Sequence, residues 1–576
     1  MGILCESFVG RSVKKLALDS LPVAQCVSLL FASSIGAQQR TPPTERFSAD
    51  LDGYIQKVLV DGRIPGIAIA VVRNDSVLVT KGYGVREMGK PDRVDENTVF
   101  DIASLAKSFT AAAVAVLVDR RILQWDDPVR KYLPDLVLPN DQLTTHATVR
   151  DFLSHRTGLE AVNMMWVLTA VDRAEVLRRM RYVPVRLSPR QSMIYSNIGY
   201  SVAGEAAAAA ARTTFEALLR DLVIEPLGLS SSTWSYEQAA TMPNVASSHA
   251  TIGGRQQPIR REVQRQPIGA AAAVQSNVTD LARLMRLQLN NGVLDGTRYV
   301  SDSSMRTMHT IHVPIATTPA MRAARLVEDT LVGYGLGWQV MDYRGHPLLW
   351  HTGNGDGQIA YMALLPRERL GVVVLVNTWS APLIHAALVN RILDTYLGHE
   401  ARDWAGETLA RVPATLRAQD SAMRAVAEMK SDAPPPLPLS AYAGRYDHPL
   451  FGPIRQRWSA RRVQRGSSAR VRSYDSDSPR SPTRRWWKRA CVSMRRRATD
   501  TSSSTATHNS RTCGSWAAGR GTASRWAPHS ANTPRCSSTD ARRRLPCSLT
   551  GDSGRGPVRE NARLVAHSVA SRGSTV

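Results

Sequence analysis

Ser104-Leu105-Ala106-Lys107 sets a hydroxyl and an amine at i and i+3, a spacing that puts both on one face of a helix. A serine hydroxyl is a poor nucleophile until a base stands beside it, and a lysine can be that base if burial lowers its pKa. The start of a helix adds a positive dipole end that favours developing negative charge. The pattern is weak alone: Ser12-Val13-Lys14-Lys15 also fits it, and a capping serine with a solvated lysine would look the same. Two further short motifs follow in the chain. Tyr195-Ser196-Asn197 offers a phenol that can share or relay a proton. Its amide can orient a lysine or donate to a substrate carbonyl, although a lone Tyr-Ser-Asn is more simply a turn with a packed tyrosine. His351-Thr352-Gly353 ends a β-branched and aromatic run, where a glycine would let substrate backbone approach and nearby N–H groups could form an oxyanion hole. In isolation it would be a strand-ending turn. All three in this order, each in suitable local structure, are not expected by chance.

The elements that must position these residues can be read from periodicity. Ile67–Val72 and Ser76–Tyr83 flank Arg73-Asn74-Asp75, a hairpin pattern. Ser104–Arg121 is an Ala/Val-rich stretch without Gly or Pro, expected to be one long helix. Thr148–Ser154 starts another helix, with Asp151 in its first turn. A further helix begins at Thr279 and puts Leu281, Leu284 and Met285 on one face. Strands are expected over Gly335–Val340, Leu348–His351, Gln358–Leu365 and Leu370–Val376, the last two joined by Pro366-Arg367-Glu368-Arg369. Hairpins at both ends with helices between predict an α/β fold of the α+β type, an antiparallel sheet covered by helices, and not a doubly wound parallel sheet.

The arrangement resembles the serine β-lactamase-related family, the penicillin-binding-protein-like serine hydrolases, from about Arg63 to Asn377. Lesser features carry the same likeness. They are Phe100-Asp101-Ile102-Ala103 before the serine, Trp125-Asp126-Asp127-Pro128-Val129 with Lys131-Tyr132-Leu133-Pro134, and Leu153-Ser154-His155-Arg156-Thr157-Gly158-Leu159. Glu225-Pro226-Leu227-Gly228-Leu229 and Gly335-Leu336-Gly337-Trp338 complete it. The resemblance implies a β-lactamase/transpeptidase-like fold with a mostly helical subdomain. It implies Ser104 as acylated nucleophile, with Lys107 and Tyr195 sharing acid/base work and Asn197 positioning Lys107 and substrate. It further implies that His351 and Thr352 line the opposite wall beside Gly353, and that the N–H groups of Ser104 and Asn354 form the oxyanion hole. Tyr195 resembles the class C and esterase branch. Penicillin-recognising members carry Lys-Thr-Gly where His351-Thr352-Gly353 stands here, and a mostly neutral imidazole suits a β-lactam carboxylate less well than an ammonium. The expected activity is hydrolysis of a small ester, amide or peptide, a carboxylesterase ahead of a D-amino-acid peptidase or β-lactamase. The rival on the same fold is a sensor that acylates without turning over.

Composition narrows the remaining classes. The 576 residues are 43% hydrophobic and 21% charged, which excludes wholesale disorder, and no apolar run is long enough for a polytopic membrane protein. The net charge of +24 suggests a polyanion partner until it is located. Arg455–Val576 holds 26 Lys+Arg against 6 Asp+Glu, leaving 47 against 43 for residues 1–454. No nucleic-acid partner is therefore expected for the body. The tail over 455–576 has Arg clusters with interleaved Trp486, Trp487, Trp516 and Trp526. It reads as a shifted frame through GC-rich coding DNA, ahead of a disordered tail or a nucleic-acid arm. Residues 1–37 are expected to be an export signal, with Lys14-Lys15 before an apolar stretch that ends near Ala37. The hydrolase domain is expected over 38–400, followed by a Pro-rich linker over 401–439 and the opening of a small β domain at 440–454. No cysteine lies between Val27 and Ala490, and no H-E-x-x-H is present. Disulfides, metals and cofactors are accordingly not expected in the body.

Overall fold

The computed structural model describes residues 43–163, 165, 171–252, 254–260, 266–315, 332–380, 383–412, 437–459 and 470–473. The expected export signal and nearly all of the Arg-rich tail lie outside the described residues. The chain divides into two units, Met1–Gly53 and Tyr54–Val576, and the sheet and site lie within the second. In the first, residues 43–53 are helical.

Eight antiparallel strands form one sheet. In chain order they are β1 (Gly66–Arg73), β2 (Ser76–Gly84), β3 (Val313–Pro314), β4 (Val332–Tyr334), β5 (Gln339–Tyr343), β6 (His346–Asn354), β7 (Ile359–Leu365) and β8 (Leu370–Val376). Their order across the sheet is β2-β1-β8-β7-β6-β5-β4-β3. The two hairpins foreseen at opposite ends of the sequence meet where β1 pairs with β8, Ile67 opposite Val376. β7 and β8 are buried at every position, as continuous apolar runs in the middle of a covered sheet must be. The strand foreseen over Gly335–Val340 is displaced. Residues 335–338 turn instead, because Gly337 has φ +79°, and the strand β5 begins at Gln339.

The helices supply the cover. α1 (Val149–Leu153) carries a reciprocal capping box between Thr148 and Asp151. α2 (Asn197–Ala210) is capped by the Ser196 hydroxyl, which accepts from the Gly199 N–H. α3 (Val278–Leu289) is capped by Asn277 and buries Leu281, Leu284 and Met285 together, as their spacing requires. The long helix foreseen from Ser104 has two parts. A 3₁₀ turn over Ala103–Leu105 leads into α-helix Ala106–Asp119, in which twelve residues are buried. No side chain caps this helix, so Ser104 is not a capping residue.

The packed fold continues beyond residue 400. Trp404 is fully buried and its indole N–H donates to Asp394 at 2.8 Å, within a helical stretch over 404–412. A small three-stranded antiparallel sheet then follows, of Gly444–His448, Gly452–Ser459 and Arg470–Ser473. The boundary expected at residue 454 therefore falls inside a strand. The ladder pairs Gly444 with Gln456 and carries regular backbone structure into the Arg-rich region, where side-chain composition gave no strand signal. Leu450, in the tight hairpin of this sheet, is buried in the main core, and its carbonyl accepts from Arg179 Nη1 at 3.1 Å.

Candidate active site

The turn that carries Ser104 is held from several sides. Phe100–Asp101 pairs with Gln275–Ser276, and the Asp101 N–H donates to the Gln358 side-chain oxygen at 2.8 Å. Asp101 Oδ1 accepts the Ala103 N–H at 2.9 Å. This bond fixes Ala103 at φ +42°, a left-handed conformation that costs a non-glycine residue about 1–2 kcal/mol. The kink turns Ser104 outward: it is partly exposed between buried Ala103 and Leu105.

One turn on, Lys107 is completely buried. Its amine lies 3.1 Å from Ser104 Oγ, 2.8 Å from Asn197 Oδ1 and 3.1 Å from the Ala271 carbonyl. The i, i+3 spacing thus brings hydroxyl and amine together as the sequence predicts. Asn197, the first residue of α2, joins them, and its amide nitrogen donates to Asn163 at 3.4 Å. Tyr195 is partly exposed, and its ring packs 4.6 Å from the lysine nitrogen. Burial raises the Tyr195 pKa above the usual phenol value, against the pull of a hydrogen bond from Ser104. At neutral pH the side chain is therefore a phenol, not a phenolate.

Strand β6 forms the facing wall. Its ladder with β5 stops at Gln339 opposite Trp350, while its ladder with β7 continues to Asn354 opposite Ile359. The pleat turns Thr352 and Asn354 outward and His351 and Gly353 inward. His351 therefore does not line the cleft, as the resemblance implied. It is 1% exposed, and both ring nitrogens are engaged. Nδ1 is 2.7 Å from the Thr352 carbonyl, which can only accept, so Nδ1 carries the proton and Nε2 accepts from the Tyr334 hydroxyl at 3.0 Å. Burial first, and then the nearby Lys107 charge, lower its pKa to about 3. Gly353 also serves a purpose different from the one expected. A Cβ there would lie 1.8 Å from the Ile102 carbonyl oxygen and 3.2 Å from the Ser104 nitrogen. The glycine lets the turn that carries Ser104 approach the strand, so the space is already filled by protein backbone.

Several residues not expected to belong to the site complete it. Tyr200 donates to the Leu153 carbonyl at 2.7 Å and accepts from the Gly337 N–H at 2.9 Å. Gly337 approaches the Lys107 helix so closely that a Cβ would meet the Lys107 carbonyl at 2.8 Å. His155 lies among the rings of Tyr195, Tyr334 and Tyr200 at 4.4, 4.7 and 5.0 Å. Its only sequence signal was membership of the Leu153–Leu159 segment. The Ala271 carbonyl left no signal, since any residue type supplies one.

A serine hydroxyl beside a buried amine, with a phenol and an amide at the start of one helix and a glycine-bearing strand opposite, makes up the candidate site, and the chain is similar to known proteins. The β-lactamase family profile fits residues 51–395. The chain belongs to the β-lactamase family. Among curated relatives of this β-lactamase-family chain, an unguisins hydrolase from Aspergillus violaceofuscus is 30% identical over 438 residues, covering 71% of this chain and 76% of the relative. Penicillin-binding protein 4 from Amycolatopsis lactamdurans is 27% identical, over 58% and 86% of the respective chains. The octameric penicillin-binding protein homologue from Pyrococcus abyssi has a similar fold. It gives a TM-score of 0.54 at 23% identity, over 72% of this chain and 86% of that one. The β-lactamase-related family was thus correctly read from the motifs and their order, and the antiparallel sheet with helices from the hairpins at both ends of the body.

Proposed function

We propose that this β-lactamase-family protein hydrolyses an ester or amide through an acyl-enzyme on Ser104, with carboxylesters the preferred class. The observation that carries this is the three-point placement of Lys107. As a base Lys107 must first release its proton, and the amine then has two N–H groups and one lone pair. With Asn197 Oδ1 and the Ala271 carbonyl accepting its N–H groups, its lone pair can take the proton of the Ser104 hydroxyl, 3.1 Å away. Ser104 Oγ attacks the carbonyl carbon as its proton passes to Lys107. The C–O or C–N bond to the leaving group then breaks, and the leaving atom takes a proton through Tyr195, which holds its own at neutral pH. Water then attacks the acyl carbonyl, passing one proton by way of Lys107 to Ser104 Oγ as the acyl C–O bond breaks and the acid leaves. The Ser104 amide beside Gly353 and the amide of the next strand residue, Asn354, are the donors assigned to the oxyanion.

The neutral, enclosed His351 supports substrates with no carboxylate against that wall, which favours esters over β-lactams. Amides are the second reading, supported by the relative named as an unguisins hydrolase. The export signal read at residues 1–37 would place the activity outside the cytoplasm, which N-terminal sequencing of the mature chain tests. The deciding experiment compares the full chain with Ser104→Ala, measuring fluorophosphonate labelling and p-nitrophenyl butyrate turnover together. Both signals should vanish in the variant. Labelling of the parent without turnover of esters or peptides would replace the hydrolase with an acylating sensor.

A further inference from the structure

His155 grips the segment around Tyr195 at three points. Its backbone carbonyl accepts the Ile194 N–H at 2.9 Å. Its ring Nδ1 accepts the Ser196 N–H at 3.1 Å, and its ring lies 4.4 Å from that of Tyr195, tilted by 40°. The residues on both sides of Tyr195 are thus tied to one residue about forty positions earlier, one through its carbonyl and one through its ring, and Tyr195 rests on that ring. The ring is 2% exposed, and Nε2 has no hydrogen-bond partner among the described residues. A buried polar atom left unmatched, in a residue held at φ +59°, is costly to keep for packing alone. A leucine would fill such a space among three tyrosine rings without either cost. What a leucine lacks is an acceptor for the Ser196 N–H, and Ser196 is also the cap of the helix that delivers Asn197 to Lys107.

We propose that His155 is the positioning residue for the catalytic phenol, its bare Nδ1 and carbonyl fixing the Ile194–Ser196 backbone so that the Tyr195 hydroxyl meets Ser104. This rests on the proposed role of Tyr195. The same contacts fix the tautomer: Nδ1 accepts, so Nε2 carries the proton. Burial is the main cause that keeps the ring neutral.

The test uses the full chain with His155→Leu, His155→Asn, Tyr195→Phe and the double variant His155→Leu/Tyr195→Phe. An angstrom of misplacement at a reacting group costs about 100-fold, so His155→Leu should lower kcat by about 10- to 100-fold with little change in KM. Asparagine can present Oδ1 where Nδ1 stood and tolerates positive φ, so His155→Asn should recover most of that loss. In the Tyr195→Phe background His155→Leu should cost less than about threefold, because the hydroxyl it positions is gone. Equal losses in both backgrounds, or no loss from His155→Leu, would overturn the proposal. A purely structural role would lower both variants alike and leave the cycle additive. A readout independent of turnover is the ¹⁵N spectrum of labelled histidines, with the His155 signals assigned by difference from His155→Asn. Bare Nδ1 and protonated Nε2 between pH 6 and 8 are expected, and a protonated Nδ1 refutes the contact even in an inactive protein. Loss of Ser104 labelling in the parent chain would refute the acyl-enzyme reading separately.

Discussion

Gly353→Ala is the most direct probe of how the nucleophile is held. The added Cβ would fall 1.8 Å from the Ile102 carbonyl oxygen, whereas ordinary contact begins at 3.4 Å, so about 1.6 Å must be found by movement. The carbonyl cannot simply rotate away. It accepts the Leu105 N–H at 3.0 Å, the bond that closes the 3₁₀ turn around Ser104. Strand β6 is ladder-bonded to β7 at the same point, Gly353 opposite Ala360, so the turn is the part that yields. A shift of an angstrom or more at the nucleophile predicts a fall of at least about 100-fold in acylation rate, or about 2.7 kcal/mol of transition-state stabilisation. A stability loss of about 1–3 kcal/mol should accompany it. The assay is the rate of fluorophosphonate labelling beside a denaturant melt, with Gly345→Ala as control. Gly345 has φ +87° and open space where its Cβ would go, so that variant meets backbone strain without a clash and should keep its labelling rate. A folded Gly353→Ala that labels within threefold of the parent would refute the close-approach account.

Asn197→Ala removes one of the acceptors that aim the Lys107 lone pair, and kcat should fall about 10- to 100-fold with the melting temperature little changed. Asn197→Asp instead sets a carboxylate beside the amine and favours the ammonium form, so the rising limb of the pH–rate profile should move to higher pH. Stability should fall on mild acidification. His351, His309 and His385 have folded pKa values lowered by burial to about 3, 4 and 4, against 6.5 unfolded. The unfolded chain binds protons first, so their stabilisation is complete above pH 6.5 and is lost as pH falls toward 4, by about 1.4 kcal/mol per pH unit for each histidine. Denaturant midpoints between pH 7 and 5 measure this, and a flat curve would rule out neutral buried rings.

Local pattern made the gross organisation legible. Alternation and turn residues marked both hairpins, the capping signal at Thr148 marked a helix start, and i, i+3 spacing joined Ser104 to Lys107. The illegible parts are those fixed by contacts between distant segments. Nothing near Gly353 in sequence says that Ile102 will press against it, so the glycine was assigned to substrate. His351 was placed in the wall by the family resemblance alone. Only the pleat, which turns Thr352 and Asn354 outward, shows that it faces inward toward Tyr334. His155 depends on a backbone turn meeting residues about forty positions later, and the Ala271 carbonyl could have come from any residue type.

The position of β1 between β2 and β8 has a consequence for how the chain is made. Residues Ile67–Val72 are entirely buried in the finished sheet, yet one edge of this strand is closed only by Leu370–Val376, about 300 residues later. At about 5–20 residues per second, a ribosome needs roughly 15–60 s to supply the missing neighbour. During that interval the nascent hairpin carries an apolar strand with an unpaired edge, the kind of template on which other chains add. Holdase chaperones that cover such a strand until the C-terminal hairpin emerges would therefore set the yield of folded protein more than its final stability does.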